Sequence, residues 1–296
     1  MPSWKACGRT WGIGFEMKQM FQQLSRIPGV ASPRTTRNSA DVVRLFVFLV
    51  TGIMFLPALV DATSVVALID NTNHRVVIAA DCRVNRQLAS VSECKIIAEP
   101  GCTVAMAGLY EEKTTAFHLR ELAEAACQYP GDLRAKAEAF LRLSRIPYQR
   151  AIRHILDADP SDFSRTVENK ATEVIFAGIE NGQIALIVRG LVVNSARKVS
   201  VERSESTAPS YSRVGYFLGL NGHIRAHVKS HPDWAKGDYV KLAHRFVEME
   251  VEAHPDLAGP PISELEIDEE GHVHWLDKGV CDSGESNGTT RETIGN

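Results

Sequence analysis

No Cys-x-x-Cys pair occurs in this chain, no glycine-rich loop ends in Lys-Ser or Lys-Thr, and Lys and Arg form no long run or stripe. The first absence leaves cysteine without a metal-knuckle or redox signature. The second removes the usual cradle for nucleotide phosphates, and the third leaves no electrostatic footprint for nucleic acid. Charge of one sign is also lacking: 33 basic against 36 acidic side chains give a formal net charge of −3. No repeat of fixed period and no internal low-complexity segment is present, so solenoids and disordered arrays are excluded. What remains is an ordinary globular composition, 44% hydrophobic and 23% charged over 296 residues.

One stretch stands apart from these averages. Leu45 to Leu56 reads LFVFLVTGIMFL, with Arg34, Arg37 and Arg44 before it and Pro57-Ala58-Leu59-Val60-Asp61-Ala62 after it. A basic flank, a short apolar core, a helix-breaking proline and small residues at Val60 and Ala62 follow the order of a secretory signal cleaved after Ala62. Two other readings stay open. The run from Val42 to Val60 reaches the roughly 17 to 25 residues of a membrane anchor, and a later start at Met17, Met20, Val42 or Val43 would shorten the leader. Residues 1–62 are therefore expected to be a leader, 63–278 one domain and 279–296 a flexible tail. The leader holds 7 basic and 3 acidic side chains, which leaves 26 and 33 in the mature chain, a formal −7. Export to the periplasm or the extracellular space is the expected location, with a membrane-anchored or a cytoplasmic protein as the alternatives and membrane contact only if the leader stays attached.

Cysteine adds little. Cys7 lies in the leader, and Cys82, Cys94, Cys102, Cys127 and Cys281 read mostly as small buried hydrophobes. Cys94 and Cys102 are the closest pair in sequence, but spacing does not assign connectivity.

Apolar runs Thr63–Ile69 and Arg75–Ala80 flank a turn-rich Asp70-Asn71-Thr72-Asn73-His74, which predicts a buried hairpin. Lys95–Ala98 and Cys102–Ala107 form a second pair around Pro100-Gly101. Three- and four-residue spacing predicts a helix from Tyr110 to Tyr129, and another from Leu133 to about Leu156 capped by Asp132. Strands are expected at Ala171–Ile179, Gln183–Val188, near Val199, and at Val214–Leu220. A helix over Asp238–Ala253 and a strand pair, Ile262–Ile267 with His272–Leu276, complete the pattern. Strands, two helices, strands, one helix and strands predict an α+β fold with sheets covered by helices.

Cleavage after Ala62 gives Thr63 a hydroxyl and a free α-amine on one residue. An α-amine titrates near pH 7.7–8 and can accept the hydroxyl proton. Such a nucleophile needs a nearby cation, a carboxylate to hold it, and an N–H donor for an oxyanion. Asp81 closes the second strand, Lys95 opens the third, and Gly108 closes the fourth. Taken singly, a Thr at a strand start and an Asp at a strand end are β-propensity and turn chemistry. Their joint order, one residue after a processing signal, favours the catalytic reading. His223, His227 and His231, spaced by four, read as exposed surface histidines because no carboxylate or Cys partner is evident, so no metal and no cofactor are expected.

The series Thr63-Ser64-Val65-Val66-Ala67, Val77-Ile78-Ala79-Ala80-Asp81-Cys82-Arg83, Lys95-Ile96-Ile97 and Met106-Ala107-Gly108 resembles a β-type proteasome subunit of the N-terminal-nucleophile (Ntn) hydrolase class. The resemblance implies a four-layer αββα sandwich and hydrolysis of peptide or amide bonds by Thr63. Lys95 would then lower the nucleophile's pKa, Asp81 would orient Lys95, and the Gly108 N–H would line the oxyanion hole. Val84, Met106 and Tyr110 would border the pocket for the side chain preceding the cleaved bond, with Glu93 favouring basic residues there. The resemblance further implies a peptide or protein substrate and a homo-oligomer.

The chain departs from the family where serines are expected. Ala62 replaces the Gly that usually precedes the Thr, and Gly219-Leu220-Asn221-Gly222 stands at a Ser-Gly-Ser turn. Asp256-Leu257-Ala258-Gly259-Pro260 stands at an Asp-x-x-Ser-Gly stretch, keeping Asp256 as an auxiliary residue. These departures motivate the alternative of a catalytically inactive scaffold subunit of the same fold.

Overall fold

The computed structural model describes residues 63–86, 89–161, 163, 171–194, 197–207 and 215–281. They all fall within the unit Ala58–Asn296. The expected leader with its apolar run, Val214 and the tail from residue 282 lie outside them.

The hairpin forms where the turn residues demand it. Strands β1 (Ser64–Asp70) and β2 (Arg75–Asp81) pair antiparallel. Asp70 organises the connection, accepting the N–H groups of Thr72 and Asn73 at 3.1 and 3.2 Å and the side-chain amide of Asn73 at 2.7 Å. Every residue of β1 is buried, because its two faces meet different neighbours. Val65, Ala67 and Ile69 join one apolar cluster, and Val66 and Leu68 join another. A period of two divides a continuous apolar run between two cores.

Strands β3 (Arg83–Arg86) and β4 (Ala89–Ser92) make a small separate hairpin. Next come β5 (Ile96–Glu99), β6 (Cys102–Ala107), and the two-residue strands β7 (Glu111–Glu112) and β8 (Phe117–His118). Helices α1 (Leu119–Cys127) and α2 (Leu133–Ala158) follow, with the Asp132 carboxylate capping α2 through the Ala135 N–H at 2.8 Å. Pro147 lies inside α2. The long hairpin β9 (Ala171–Glu180) and β10 (Gln183–Val193) leads to β11 (Val199–Thr207) and β12 (Gly215–Gly219). Helices α3 (Gly222–Ser230) and α4 (Tyr239–Ala253) then precede β13 (Ile262–Ile267) and β14 (Val273–Asp277).

Two five-stranded antiparallel sheets result, ordered β12-β1-β2-β13-β14 and β11-β10-β9-β6-β5. One apolar cluster draws on both sheets, with Ala67, Ile78 and Leu265 from the first and Ala105, Ile175 and Leu186 from the second. A second cluster joins the other face of the second sheet, through Val104, Phe176 and Ile187, to Ala123 of α1 and Phe140 of α2. A third joins Val66 and Val77 to Ile224 of α3 and Phe246 of α4. Each fully buried Val, Leu, Ile or Phe contributes roughly 1.5–3 kcal/mol.

Two expectations need correction. The helix expected from Tyr110 begins only at Leu119, because the Glu112 carboxylate accepts the N–H groups of Thr114 and Thr115 at 3.1 and 2.8 Å and holds a turn between β7 and β8. Four cysteines read as core hydrophobes are instead cross-linked, Cys94 to Cys281 and Cys102 to Cys127, leaving buried Cys82 as the free thiol among the described residues. Their partners lie 187 and 25 residues apart, beyond the reach of local spacing.

A non-reducing peptide map is expected to return these two bridges. Replacing Cys102 and Cys127 together by Ala is expected to cost about 3–4 kcal/mol in urea denaturation, the chain entropy of the loop they close.

Candidate active site

Asp81 ends β2 with its side chain fully buried. Its neighbour Ala80 pairs with Val65, so Asp81 faces the start of β1. Oδ1 accepts the Ser64 N–H at 2.7 Å, while Oδ2 accepts the N–H groups of Arg83 at 3.1 Å and Gly259 at 3.3 Å. Lys95, also fully buried, donates to both carboxylate oxygens at 3.1 Å and to the Arg83 carbonyl. Burial pushes the Asp81 carboxyl up, against the charge of Lys95 and the N–H of Ser64, which pull it down. Asp81 thus joins a buried ammonium to the backbone immediately after Thr63.

Thr63 itself is 5% exposed, and its carbonyl accepts the Leu220 N–H at 2.7 Å. Gly219, at φ +67°, makes that approach possible: a Cβ there would stand 1.9 Å from the Thr63 carbonyl oxygen and 3.2 Å from the Ala107 Cβ. The end of β6 therefore converges on the same spot, and Gly108 follows directly. Gly108 sits at φ +104°, where a Cβ would meet the Ala171 carbonyl oxygen and the Thr172 Cα, each at 2.6 Å. Only glycine fits this corner. The next N–H, that of Leu109, is bound by the Thr172 hydroxyl at 3.0 Å. Ser64 Oγ, beside Thr63, is buried and has no hydrogen-bond partner.

The residues expected to line a pocket divide. Val84, Met106 and Tyr110 share the core cluster formed with α1 and α2, and Met106 is fully buried there. Glu93 is half-buried and lies against Tyr110. The Tyr110 hydroxyl and the Arg120 guanidinium both donate to the Cys94 carbonyl, at 3.3 and 2.8 Å. Burial, then the negative charge of Glu93, pushes the Tyr110 phenol up. Asp256 is exposed in the turn after α4.

Two participants escaped the sequence reading. The Gly259 N–H reaches Asp81 from the stretch that lacks the expected serine. Glu173, on β9 opposite Ala107, accepts a hydrogen bond from the Gly219 backbone, the same glycine that packs on Thr63. Burial raises its carboxyl above the usual range, Glu202 adds to the rise, and Arg225 opposes it. The one available signal was an acidic residue inside an otherwise apolar strand.

No family model and no curated protein matches the chain. Among solved structures it is similar to the crystal structure of eukaryotic HslV from Trypanosoma brucei, at 15% identity and a TM-score of 0.35, over 69% of this chain and 99% of that one. A likeness that remote transfers no residue role.

Lys95→Ala strands a buried carboxylate and is expected to cost about 3–5 kcal/mol. The double replacement with Asp81→Ala should cost less than the sum of the two single changes, in a urea double-mutant cycle. For Glu173, a raised carboxyl means that the fold favours the protonated form. That contribution is full below about pH 4.5 and lost as pH rises through the folded value. Melting curves are therefore expected to show wild type losing stability relative to Glu173→Gln as pH rises above about 4.5.

Proposed function

We propose that this chain is a threonine-type Ntn hydrolase that cleaves peptide or amide bonds, with Thr63 made N-terminal by removal of the leader. The observation that carries this reading is the Asp81 carboxylate, which holds Lys95 with one set of contacts and the Ser64 N–H with another. The three apolar clusters support an αββα layering, with the site at the strand ends where both sheets meet.

In this mechanism the neutral α-amine of Thr63 takes the proton of its own Oγ1, directly or through one water. Oγ1 attacks the carbonyl carbon of the substrate, and the π electrons move to the carbonyl oxygen. The Gly108 N–H faces that oxyanion. The ammonium of Lys95, fixed by Asp81, favours the deprotonated oxygen of Thr63 electrostatically. Collapse of the tetrahedral intermediate expels the amine, which carries away the proton, and leaves an ester on Thr63. Water then attacks the ester, with the α-amine again as base, and regenerates Thr63.

The missing serines favour a second reading, a non-catalytic subunit of the same fold. The two diverge in a direct experiment. N-terminal sequencing of the purified mature protein is expected to start at Thr63, an epoxyketone probe is expected to label it, and Thr63→Ala is expected to lower turnover by on the order of 10⁴-fold or more. An active protein with its Ala62–Thr63 bond intact overturns the mechanism, and a processed protein that no probe labels establishes the scaffold reading.

A further inference from the structure

On the helical side of the first sheet, Glu250 of α4 is fully buried. Its Oε1 accepts the Ile224 N–H in the first turn of α3 at 2.9 Å. Its Oε2 is buried and has no hydrogen-bond partner. A charged acceptor oxygen in that state is among the least tolerated of buried polar atoms. It is aimed at two imidazoles: His223 Nδ1 lies 3.5 Å away and His254 Nε2 3.8 Å away. These distances are long for hydrogen bonds. They suit a cation seated between the three atoms.

We propose that His223, Glu250 and His254 form a binding site for a divalent transition-metal ion of the zinc class. The three ligand atoms lie within 4.8 Å of one another. A tetrahedral ion with bonds of about 2.0–2.2 Å keeps its ligand atoms roughly 3.3–3.6 Å apart, so a small inward movement of the imidazoles completes the set. The two rings meet edge to face at a 65° interplanar angle, with centroids 5.2 Å apart. Glu250 of α4 meets His254, four residues on at the helix's C-terminal cap, and His223 arrives from the start of α3. The histidine side chains are 55% and 36% exposed, which leaves the fourth position open to water. Two imidazoles and one carboxylate are borderline-soft donors that select zinc, cobalt or nickel over magnesium or calcium.

Neighbouring clusters lack these properties. Asp268 has both oxygens engaged, by the N–H groups of Glu270 and His272 and by the imidazoles of His272 and His274, and it lies at the surface. His227 and His231 stack on one another at 4.2 Å. The periodic trio of His223, His227 and His231 is therefore split, and the other two ligands, Glu250 and His254, come from α4 and its C-terminal cap.

The location gives the ion a mechanical role. The segment before His223 carries Leu220, whose N–H holds the Thr63 carbonyl, and the segment after His254 carries Gly259, whose N–H holds Asp81. A bound cation clamps the two segments together. The binding site itself stands on observations independent of the hydrolase reading.

The test is a titration of the full chain, purified without a histidine tag and stripped with a chelator, with Co²⁺ and then Zn²⁺. One Co²⁺ per chain with the visible bands of four- or five-coordination, displaced by Zn²⁺ and accompanied by a higher melting temperature, is expected. His223→Ala and His254→Ala should each weaken binding by more than about 100-fold. Glu250→Gln keeps an acceptor for Ile224 while removing the anionic ligand, and should weaken binding without loss of the circular dichroism of the fold. His227→Ala should leave binding unchanged. Absence of Co²⁺ bands and of a melting shift in wild type, or equal affinity in folded His223→Ala and Glu250→Gln, overturns the site.

Discussion

Asp81 is the point on which the rest of the molecule depends. Its two oxygens receive the N–H groups that begin β1, follow β2 and precede β13, together with the ammonium that precedes β5. Four chain segments from two sheets are thus fixed around one carboxylate that water does not reach. A well-packed apolar cluster at the same place would be equally stable or more so, since burial of the ions offsets their mutual attraction. What the ionic version adds is direction. The pair fixes where a positive charge lies relative to residues 63 and 64, and an apolar contact has no such orientation.

Small residues let the sheets approach closely enough for that geometry. Ala67, Ala80, Ala105 and Ala107 all belong to the cluster shared by the two sheets. At the rim, Gly219 and Gly108 remove the last obstacles, one against the Thr63 carbonyl and the other against β9. Closely packed interiors tolerate little added volume, so a methyl group at either glycine displaces backbone rather than a mobile side-chain tip. The site is therefore an outcome of sheet packing, and its precision comes from rigid strand ends and not from a long loop.

The hairpin from Ser64 to Asp81 was legible because both signals are local: two unbroken apolar runs and a turn packed with Asp and Asn. Asp81 and Lys95 were legible because charge at the edge of such runs stands out. Glu173 was hidden since its meaning depends on Gly219, which is distant in sequence and meets it only after the sheets assemble. The cysteine pairs were hidden for the same reason. The start of α1 was misplaced because a Glu112 turn and a helical first turn share one composition, and only the hydrogen bonds separate them. The spacing of His223, His227 and His231 suggested a single face, yet the buried carboxylate that gives His223 a chemical context lies on α4.

For the mechanism proposed above, the absent serines matter less than their number suggests. A hydroxyl in a support network supplies a donor of modest net strength, roughly 0.5–1.5 kcal/mol. Here the Leu220 N–H holds the Thr63 carbonyl, and the Gly259 N–H holds Asp81, each from a stretch where a serine was expected. A backbone donor needs no side-chain rotamer to be ordered, so it carries less entropy cost than a hydroxyl doing the same task. What backbone donors do not provide is a proton relay, because an amide N–H only donates, whereas a hydroxyl accepts one proton as it gives up another. In the mechanism proposed above, the proton traffic at residue 63 then falls to its own amine and to water, and Lys95 and Asp81 shape the field in which that proposed transfer occurs.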